Sequence, residues 1–245
     1  MSAPPDKTEK RPATLWERPE PASRPAPSPL SREKIVRAAI AIADADGLAA
    51  VSLRKVGASL DAGPMRLYTY LSTKEELLDL MVDAVYGETM SPPLMQDDWR
   101  DALRLFARRT REACRKHPWF IELLGGRPHM GPNALAHMEA TLAGLKPVRE
   151  FANIDAVMQA VSTVKAYIIG AIQCENSELK NASSKSEWQE AWWPYLERLL
   201  ATGRFPMLAK VVRDASHPSP DVVFDEGLEM VLAGIATRLR HKRRS

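Results

Sequence analysis

The spacing of apolar residues predicts helices throughout the chain beyond its proline-rich start. The segment SREKIVRAAIAIADADG places Ile35, Ala39 and Ile42 on one helical face. It begins at Ser31, a residue type suited to the N-cap, and ends at Gly47, a residue type that stops helices. The pattern therefore predicts a first helix between these two residues.

A second, short helix is predicted at SLRKVGASL, with Ser52 as its N-cap. Its apolar residues Leu53, Val56 and Leu60 form one inward face. Residues 61–63 follow as Asp-Ala-Gly, which is long enough only for a turn. The two helices and the turn thus form a compact unit.

A third helix is predicted at about residues 64–70. Pro64 suits its first position, because the missing N–H has no intrahelical partner there and the proline φ is already close to helical. So short a helix is unstable alone. We therefore expect packing by Leu67 and Leu71 to hold it.

A fourth helix is predicted after Thr73, which forms a capping box with Glu76. Its buried side is predicted to comprise Leu77, Leu78, Met81, Val82 and Val85. The remaining sequence predicts helices near residues 97–116, 118–124, 133–145, 153–178, 187–202, 205–214 and 222–240, with no period-2 strand pattern. The expected fold class is all-α.

The bulk composition is that of a globular protein, with 245 residues, 45% hydrophobic residues and a net charge of +3. The longest apolar run, residues 154–174, contains Asp155 and Lys165, which favours a buried or partner-facing helix over a membrane span. The start of the chain lacks the apolar stretch of a secretory signal. We therefore expect a cytoplasmic protein, associated with the nucleoid when bound to DNA.

Residues 1–30 contain eight of the nineteen prolines and few aliphatic side chains, so they are predicted to be a disordered, basic arm. At the other end, residues 241–245 form a basic tail. The arm has two interpretations, a solvated tail or a segment that follows a DNA groove. Its basic residues are Lys7, Lys10, Arg11, Arg18 and Arg24.

The order helix, turn, short helix is that of a helix-turn-helix DNA-binding unit. If Leu67 and Leu71 face inward, the other residues of the third helix face outward. Arg66 can bond guanine in a bidentate manner, Thr69 and Met65 can touch a thymine methyl, and tyrosine hydroxyls can bond phosphates or bases. The predicted DNA-binding residues are Ser52, Arg54, Pro64, Met65, Arg66, Tyr68, Thr69, Tyr70 and Lys74.

The segment SREKIVRAAIAIADADGLAAVSLRKVGASLDAGPMRLYTYLSTKEELLDLM resembles the N-terminal domain of TetR family transcriptional regulators. The matching features are the small residue and glycine before the third helix, the LY pair, the second aromatic and TKEELL. The resemblance implies that the predicted DNA-binding residues contact an operator. The family often has His or Phe in the YTYL stretch and a smaller residue in place of Arg66, which leaves the operator sequence open.

The segments HPWFIELLGGRPHMGPNALAHMEATLAGL and FDEGLEMVLAGIATRL resemble the tetracycline-repressor-type C-terminal domain. This resemblance implies that the C-terminal helices dimerise and enclose an effector pocket. For the dimer interface we expect Val161, Ile168, Ile172, Phe224, Leu228, Val231, Leu232 and Ile235. For the effector pocket we expect His117, Trp119, Phe120, His129, Met130, His137, Met138, Tyr167, Trp192 and Trp193.

The predicted domains are a disordered arm at 1–30, a helix-turn-helix domain at 31–78, an effector and dimerisation domain at 79–240, and the tail. The predicted function is a homodimeric DNA-binding transcriptional regulator that a small molecule releases from its operator. Repression is the expected outcome, and activation is the other possibility.

Two other functions compete with this one: an effector-independent DNA-binding protein, and a carrier or enzyme with a vestigial helix-turn-helix. No catalytic residue or cofactor is indicated. Cys114 and His117 lie three apart, as metal ligands do, but without supporting ligands a buried thiol is the preferred interpretation.

Overall fold

The computed structural model describes residues 14–21, 30–89, 98–145, 151, 153–180 and 182–242, with side chains except at 178–189 and 240–242. Every regular element in these ranges is helical, which confirms the all-α class. The helices are α1 (Arg32–Asp46), α2 (Leu53–Ser59), α3 (Pro64–Leu67), α4 (Lys74–Thr89), α5 (Trp99–Lys116), α6 (Phe120–Leu124), α7 (Pro132–Leu145), α8 (Ile154–Lys180), α9 (Ala182–Ala201), α10 (Pro206–Asp214) and α11 (Pro220–Lys242).

The chain divides into two compact units. The first comprises Met1–Pro93 and Arg115–Glu139, and the second comprises Leu94–Cys114 and Ala140–Ser245. The division differs from the predicted boundary after residue 78, because α6 and the first part of α7 group with α1 to α4.

The helix starts in the first unit follow the capping residues of the sequence. Ser31 Oγ accepts a hydrogen bond from Lys34 N at 3.2 Å, and Ser52 Oγ accepts one from Lys55 N at 3.2 Å. Thr73 Oγ1 accepts in the same way from Glu76 N, also at 3.2 Å. All three predicted N-caps are therefore confirmed.

The third helix is shorter than predicted. It ends at Leu67, and residues 68–70 form a turn. Leu67 and Leu71 are buried, as expected. Gly57 of α2 permits the close approach of the turn before α3, because a Cβ atom at this position would lie 2.6 Å from the carbonyl oxygen of Ala62. The backbone N–H of Ala62 donates to the Gly57 carbonyl at 2.9 Å, which closes the turn.

Residues 14–21 do not form the predicted disordered arm. They make a turn in which Arg18 N donates to the Thr14 carbonyl at 3.2 Å, and the side chain of Leu15 is buried. The buried side chain of Leu15 and hydrogen bonds to other parts of the first unit hold residues 14–21 in place. Composition alone does not indicate these contacts. The predictions for residues 1–13, 22–29 and 243–245 lie outside the described residues.

A buried carboxylate on α4 fixes the start of α7. Asp83 Oδ1 accepts a hydrogen bond from Ala134 N at 2.8 Å, and Oδ2 accepts one from Asn133 Nδ2 at 3.1 Å. Desolvation raises the pKa of Asp83 above its ordinary value, and these hydrogen bonds oppose that rise. The carboxylate packs directly over Gly131, where a Cβ atom would overlap it.

The second unit is built on the pairing of α8 with α11. Arg111 of α5 closes one end of this pair: its Nε lies 2.9 Å from Glu175 Oε2 and its Nη2 lies 3.0 Å from Asp221 Oδ1. Its guanidinium carbon lies 4.3 Å from the ring centre of Phe224. By length and composition alone, residues 154–177 of α8 would suffice to cross a membrane. In this structure α8 packs along α11.

Six of the eight residues predicted for the dimer interface are already buried by their own chain. Val161, Ile168, Ile172, Phe224, Leu228 and Leu232 are buried inside a single protomer. Only Val231 and Ile235 keep partial exposure. Apolar spacing identified the inward faces of α8 and α11 correctly, but these faces pack within the same chain.

We expect Gly131→Ala to lower the free energy of unfolding of the first unit by about 1–3 kcal/mol, because the added methyl group displaces the buried carboxylate of Asp83. The matched control is Gly126→Ala, whose Cβ would meet no atom closer than 3.9 Å. Thermal unfolding of the two variants measures the difference. Equal melting temperatures would contradict the packing described for Asp83.

Candidate nucleic-acid interface

The outward surface of α3 and of the turn after it presents the residues expected to reach DNA bases. Pro64, Met65, Arg66, Tyr68 and Thr69 are all exposed. Met65 is 78% exposed and Tyr68 is 51% exposed, which is high for large apolar or aromatic side chains. This surface is therefore free to contact another molecule.

Three exposed cations lie on α3 and on the helices before and after it in the chain. Arg54, Arg66 and Lys74 are exposed, and none of them forms an ion pair with another described residue. The neighbouring Lys55 differs, since its Nζ lies 2.5 Å from Asp46 Oδ2. Unpaired cations around an exposed helix are suited to phosphate contacts.

Tyr70 is not part of this surface, which corrects the prediction. Its side chain is 6% exposed, and its hydroxyl donates a hydrogen bond to the Leu30 carbonyl at 2.8 Å. The prediction continued α3 to residue 70, whereas the chain turns after Leu67 and directs this ring inward. Ser52 remains partly exposed beside α2.

Two of the predicted effector residues instead join segments of the first unit. His117 is buried, with Nδ1 2.8 Å from Asp44 Oδ1 and Nε2 3.3 Å from Glu88 Oε2. Trp119 Nε1 donates to the same Asp44 oxygen at 2.7 Å. Burial opposes ionisation of Glu88, but hydrogen bonds from Lys116 and His117 lower its pKa below the ordinary value. His117 and Trp119 therefore have structural partners and are already satisfied.

Other predicted effector residues meet around Tyr86 of α4, which the sequence analysis missed. Its ring centre lies 5.5 Å from that of Phe120, 6.1 Å from that of His129 and 5.2 Å from that of His137. We call these four residues the Tyr86 cluster. Helical spacing could have indicated Tyr86, since it follows Val82 and Val85 on the inward side of α4.

The remaining predicted effector residues do not converge. Met130 and Met138 are exposed in the first unit. Tyr167, in the second unit, donates its hydroxyl to the Phe224 carbonyl at 2.7 Å. Trp192 and Trp193 are half exposed on α9, where the Trp192 ring centre lies 5.9 Å from that of Tyr195.

The thiol of Cys114 is buried, and desolvation together with the charge of Glu175 raises its pKa to about 12. A thiol that stays protonated is a poor metal ligand. Among the residues that the structure describes, no three His, Cys, Asp or Glu side chains are grouped so that they could hold a metal ion.

A second open surface runs along α8 and α11. Hollows of about 380 Å³ and about 820 Å³ are lined by residues of both helices. On α11 the lining residues include Met230, which is 74% exposed, and Gly234. The lining residues of α8 recur at helical spacing and so share one side of the helix: Ala156, Gln159, Ala160, Thr163, Ala166, Tyr167, Gly170, Ala171, Cys174 and Glu175. We call this surface the α8/α11 groove.

Comparisons with known proteins agree with this arrangement. The family model described as "Tetracyclin repressor-like, C-terminal domain" matches residues 91–239. The chain is 34% identical over 234 residues to the HTH-type transcriptional repressor DrrR1 of Streptomyces coeruleorubidus, which covers 94% of this chain and 86% of that protein.

Solved structures show the same fold. Apo ActR from Streptomyces coelicolor matches with a TM-score of 0.74 and 26% identity, over 89% of this chain and 100% of that chain. ActR in complex with actinorhodin matches with a TM-score of 0.72 and 25% identity, over 86% of this chain and 99% of that chain. The family match and the exposed helix-turn-helix together show that the chain belongs to the TetR family of transcriptional regulators, with a C-terminal domain of the tetracycline-repressor type.

Proposed function

We propose that this regulator represses transcription by inserting α3 into the major groove of an operator. The observation that carries the proposal is the exposed surface of Met65, Arg66 and Tyr68, with unpaired cations on either side. Arg66 reads a base edge, while Arg54 and Lys74 hold phosphates on either side. This activity requires no catalytic step, and the protein carries it out in the cytoplasm.

We propose further that two copies associate through the α8/α11 groove. Helix-turn-helix dimers bind half-sites about 34 Å apart, so a second reading helix is needed for specific binding. The small side chains along α8 allow another helix to approach closely, and Met230 offers an apolar contact that a partner would bury. Three of the residues predicted from the sequence, Phe224, Val231 and Ile235, line this groove.

We also propose that a small molecule releases the operator by binding at the Tyr86 cluster. ActR, which shares this fold, forms a complex with actinorhodin. Tyr86, His129 and His137 combine an aromatic surface with imidazole groups, as ligand sites commonly do. Because Tyr86 lies on α4, a ligand there displaces the helix that follows the reading helix.

Arg66→Ala and Tyr68→Ala should each weaken binding to the operator by about 1–3 kcal/mol, because each removes one base or phosphate contact. Fluorescence anisotropy with a duplex selected from a random library by the wild-type protein measures the loss. The control is Arg37→Ala, an exposed arginine of α1 that pairs with Glu33 away from α3. Unchanged affinity in both α3 variants would refute α3 as the reading helix.

Gly170→Arg should convert the dimer to a monomer, because a long charged side chain then occupies the α8/α11 groove. A Cβ atom at Gly170 would meet nothing within 4 Å, so the protomer itself should fold normally. The matched control is Ser162→Arg, which adds the same side chain to an exposed position of α8 outside the groove. Sedimentation velocity separates the two outcomes, and a dimeric Gly170→Arg protein would contradict the proposed interface.

A compound that binds the effector site should raise the melting temperature of the wild-type protein in proportion to the logarithm of its concentration. In a screen that includes actinorhodin, Tyr86→Leu should abolish the shift, because it removes the ring at the centre of the cluster. Trp192→Leu, on a half-exposed aromatic residue of α9, should leave the shift intact. The reverse result would place the effector site at α9.

A further inference from the structure

A segment that precedes the helix-turn-helix forms a hydrogen bond and an ion pair with the corner between α3 and α4. We call residues 14–21 the N-terminal strap. Arg18 Nη1 donates to Ser72 Oγ at 2.6 Å, and Arg18 Nη2 pairs with the carboxylate of Glu76 in the first turn of α4. The second oxygen of Glu76 accepts from the backbone N–H of Ser72 at 2.7 Å. One arginine thus joins both sides of the corner.

The strap is also tied to the start of α1. Arg32 N donates to Glu20 Oε1 at 2.6 Å, and Arg32 Nη1 donates to the Arg18 carbonyl at 2.9 Å. Arg32 Nε reaches the Tyr70 carbonyl at 3.4 Å, while the Tyr70 hydroxyl donates to the Leu30 carbonyl. The strap, α1 and the corner after α3 therefore form one hydrogen-bonded network.

The ionic contact at the centre of this network forms in a partly shielded position. The side chains of Arg18 and Glu76 are 30% and 22% exposed. Partial burial opposes ionisation of Glu76, but the hydrogen bonds from Arg18 and Ser72 lower its pKa below the ordinary value. Glu76 thus stays ionised and holds Arg18 at neutral pH, so the guanidinium of Arg18 is directed at the protein.

We propose that Arg18 is a positioning residue for operator recognition, acting through Ser72 and Glu76 to fix the direction of α3 and of Lys74. The inference rests on the proposed function of α3 as the reading helix. A helix of four residues cannot set its own orientation. The turn from α2 holds it on one side, and the corner after it is where the strap holds it on the other. Residues 14–21 thereby belong to the DNA-reading unit, and Arg18 leaves the set of arm residues that could follow a DNA groove.

The full-length variants Arg18→Ala and Glu76→Ala test this role, with Arg37→Ala as the control. Affinity is measured for the duplex selected by the wild-type protein and for a shuffled duplex of equal length, over a range of salt concentrations. Each variant should lose affinity for the selected duplex by roughly three- to tenfold, the scale of one lost hydrogen bond. Affinity for the shuffled duplex and the salt slope should stay unchanged, and the double variant should be no weaker than the weaker single variant.

A direct phosphate contact by Arg18 predicts a different pattern. Glu76→Ala would then raise affinity, because it frees the guanidinium, and Arg18→Ala would weaken both duplexes equally and reduce the salt slope by about one. A loss of folded protein would likewise weaken both duplexes together and lower the melting temperature. Either pattern overturns the proposal.

Parallel measurement of Arg66→Ala separates this inference from the proposed function. If Arg66→Ala weakens binding but Arg18→Ala binds like the wild type, the proposed role of the strap is wrong while α3 remains the reading helix. Wild-type binding by both Arg66→Ala and Tyr68→Ala refutes α3 as the reading helix, and the proposal for Arg18 is then refuted as well. If Glu76→Ala fails to fold because the first turn of α4 loses one of its two acidic residues, Arg18→Ala still decides the outcome.

Discussion

A reading helix of four residues is the constraint on which the rest of the first unit depends. One helical turn fixes too few hydrogen bonds to persist in water, so its conformation must come from its surroundings. Leu67 supplies a fully buried anchor, and Gly57 lets the Ala62 carbonyl approach closely enough to close the preceding turn. The exposed side chains of Met65 and Arg66 then remain available for recognition.

Charged side chains serve two opposite purposes in this chain. Asp44 and Asp83 each accept hydrogen bonds from a different segment, and Arg111 joins α5 to the α8 and α11 pair. Removing one partner of such a contact leaves an uncompensated polar group, which costs far more than an exposed ion pair contributes. Around α3, Arg54, Arg66 and Lys74 form no ion pair with another described residue. A phosphate can therefore contact them without first breaking an ion pair.

Helix positions, caps and the reading surface could be predicted from the sequence because each depends on local spacing. Ser31, Ser52 and Thr73 cap the helices at the predicted positions, and Met65 and Arg66 face outward. Tyr70 is buried, against the prediction, because the predicted α3 was extended to residue 70 whereas the helix ends at Leu67. Six of the predicted dimer residues are covered by their own chain, because apolar periodicity marks an inward face but not which chain covers it. Tyr86 and the strap depend on contacts between distant segments, which no local pattern encodes.

The proposed dimer explains how a small-molecule effector controls the affinity for operator DNA. A single α3 has few contacts, so specific affinity depends on both half-sites being engaged by one dimer. The second contact is then intramolecular, and its effective concentration falls steeply once the two reading helices no longer match the half-site spacing. In this proposal, an effector bound at the Tyr86 cluster on α4 needs no contact with DNA. It has only to favour a conformation in which the corner held by Arg18 and Glu76 presents α3 at a spacing that the operator cannot match.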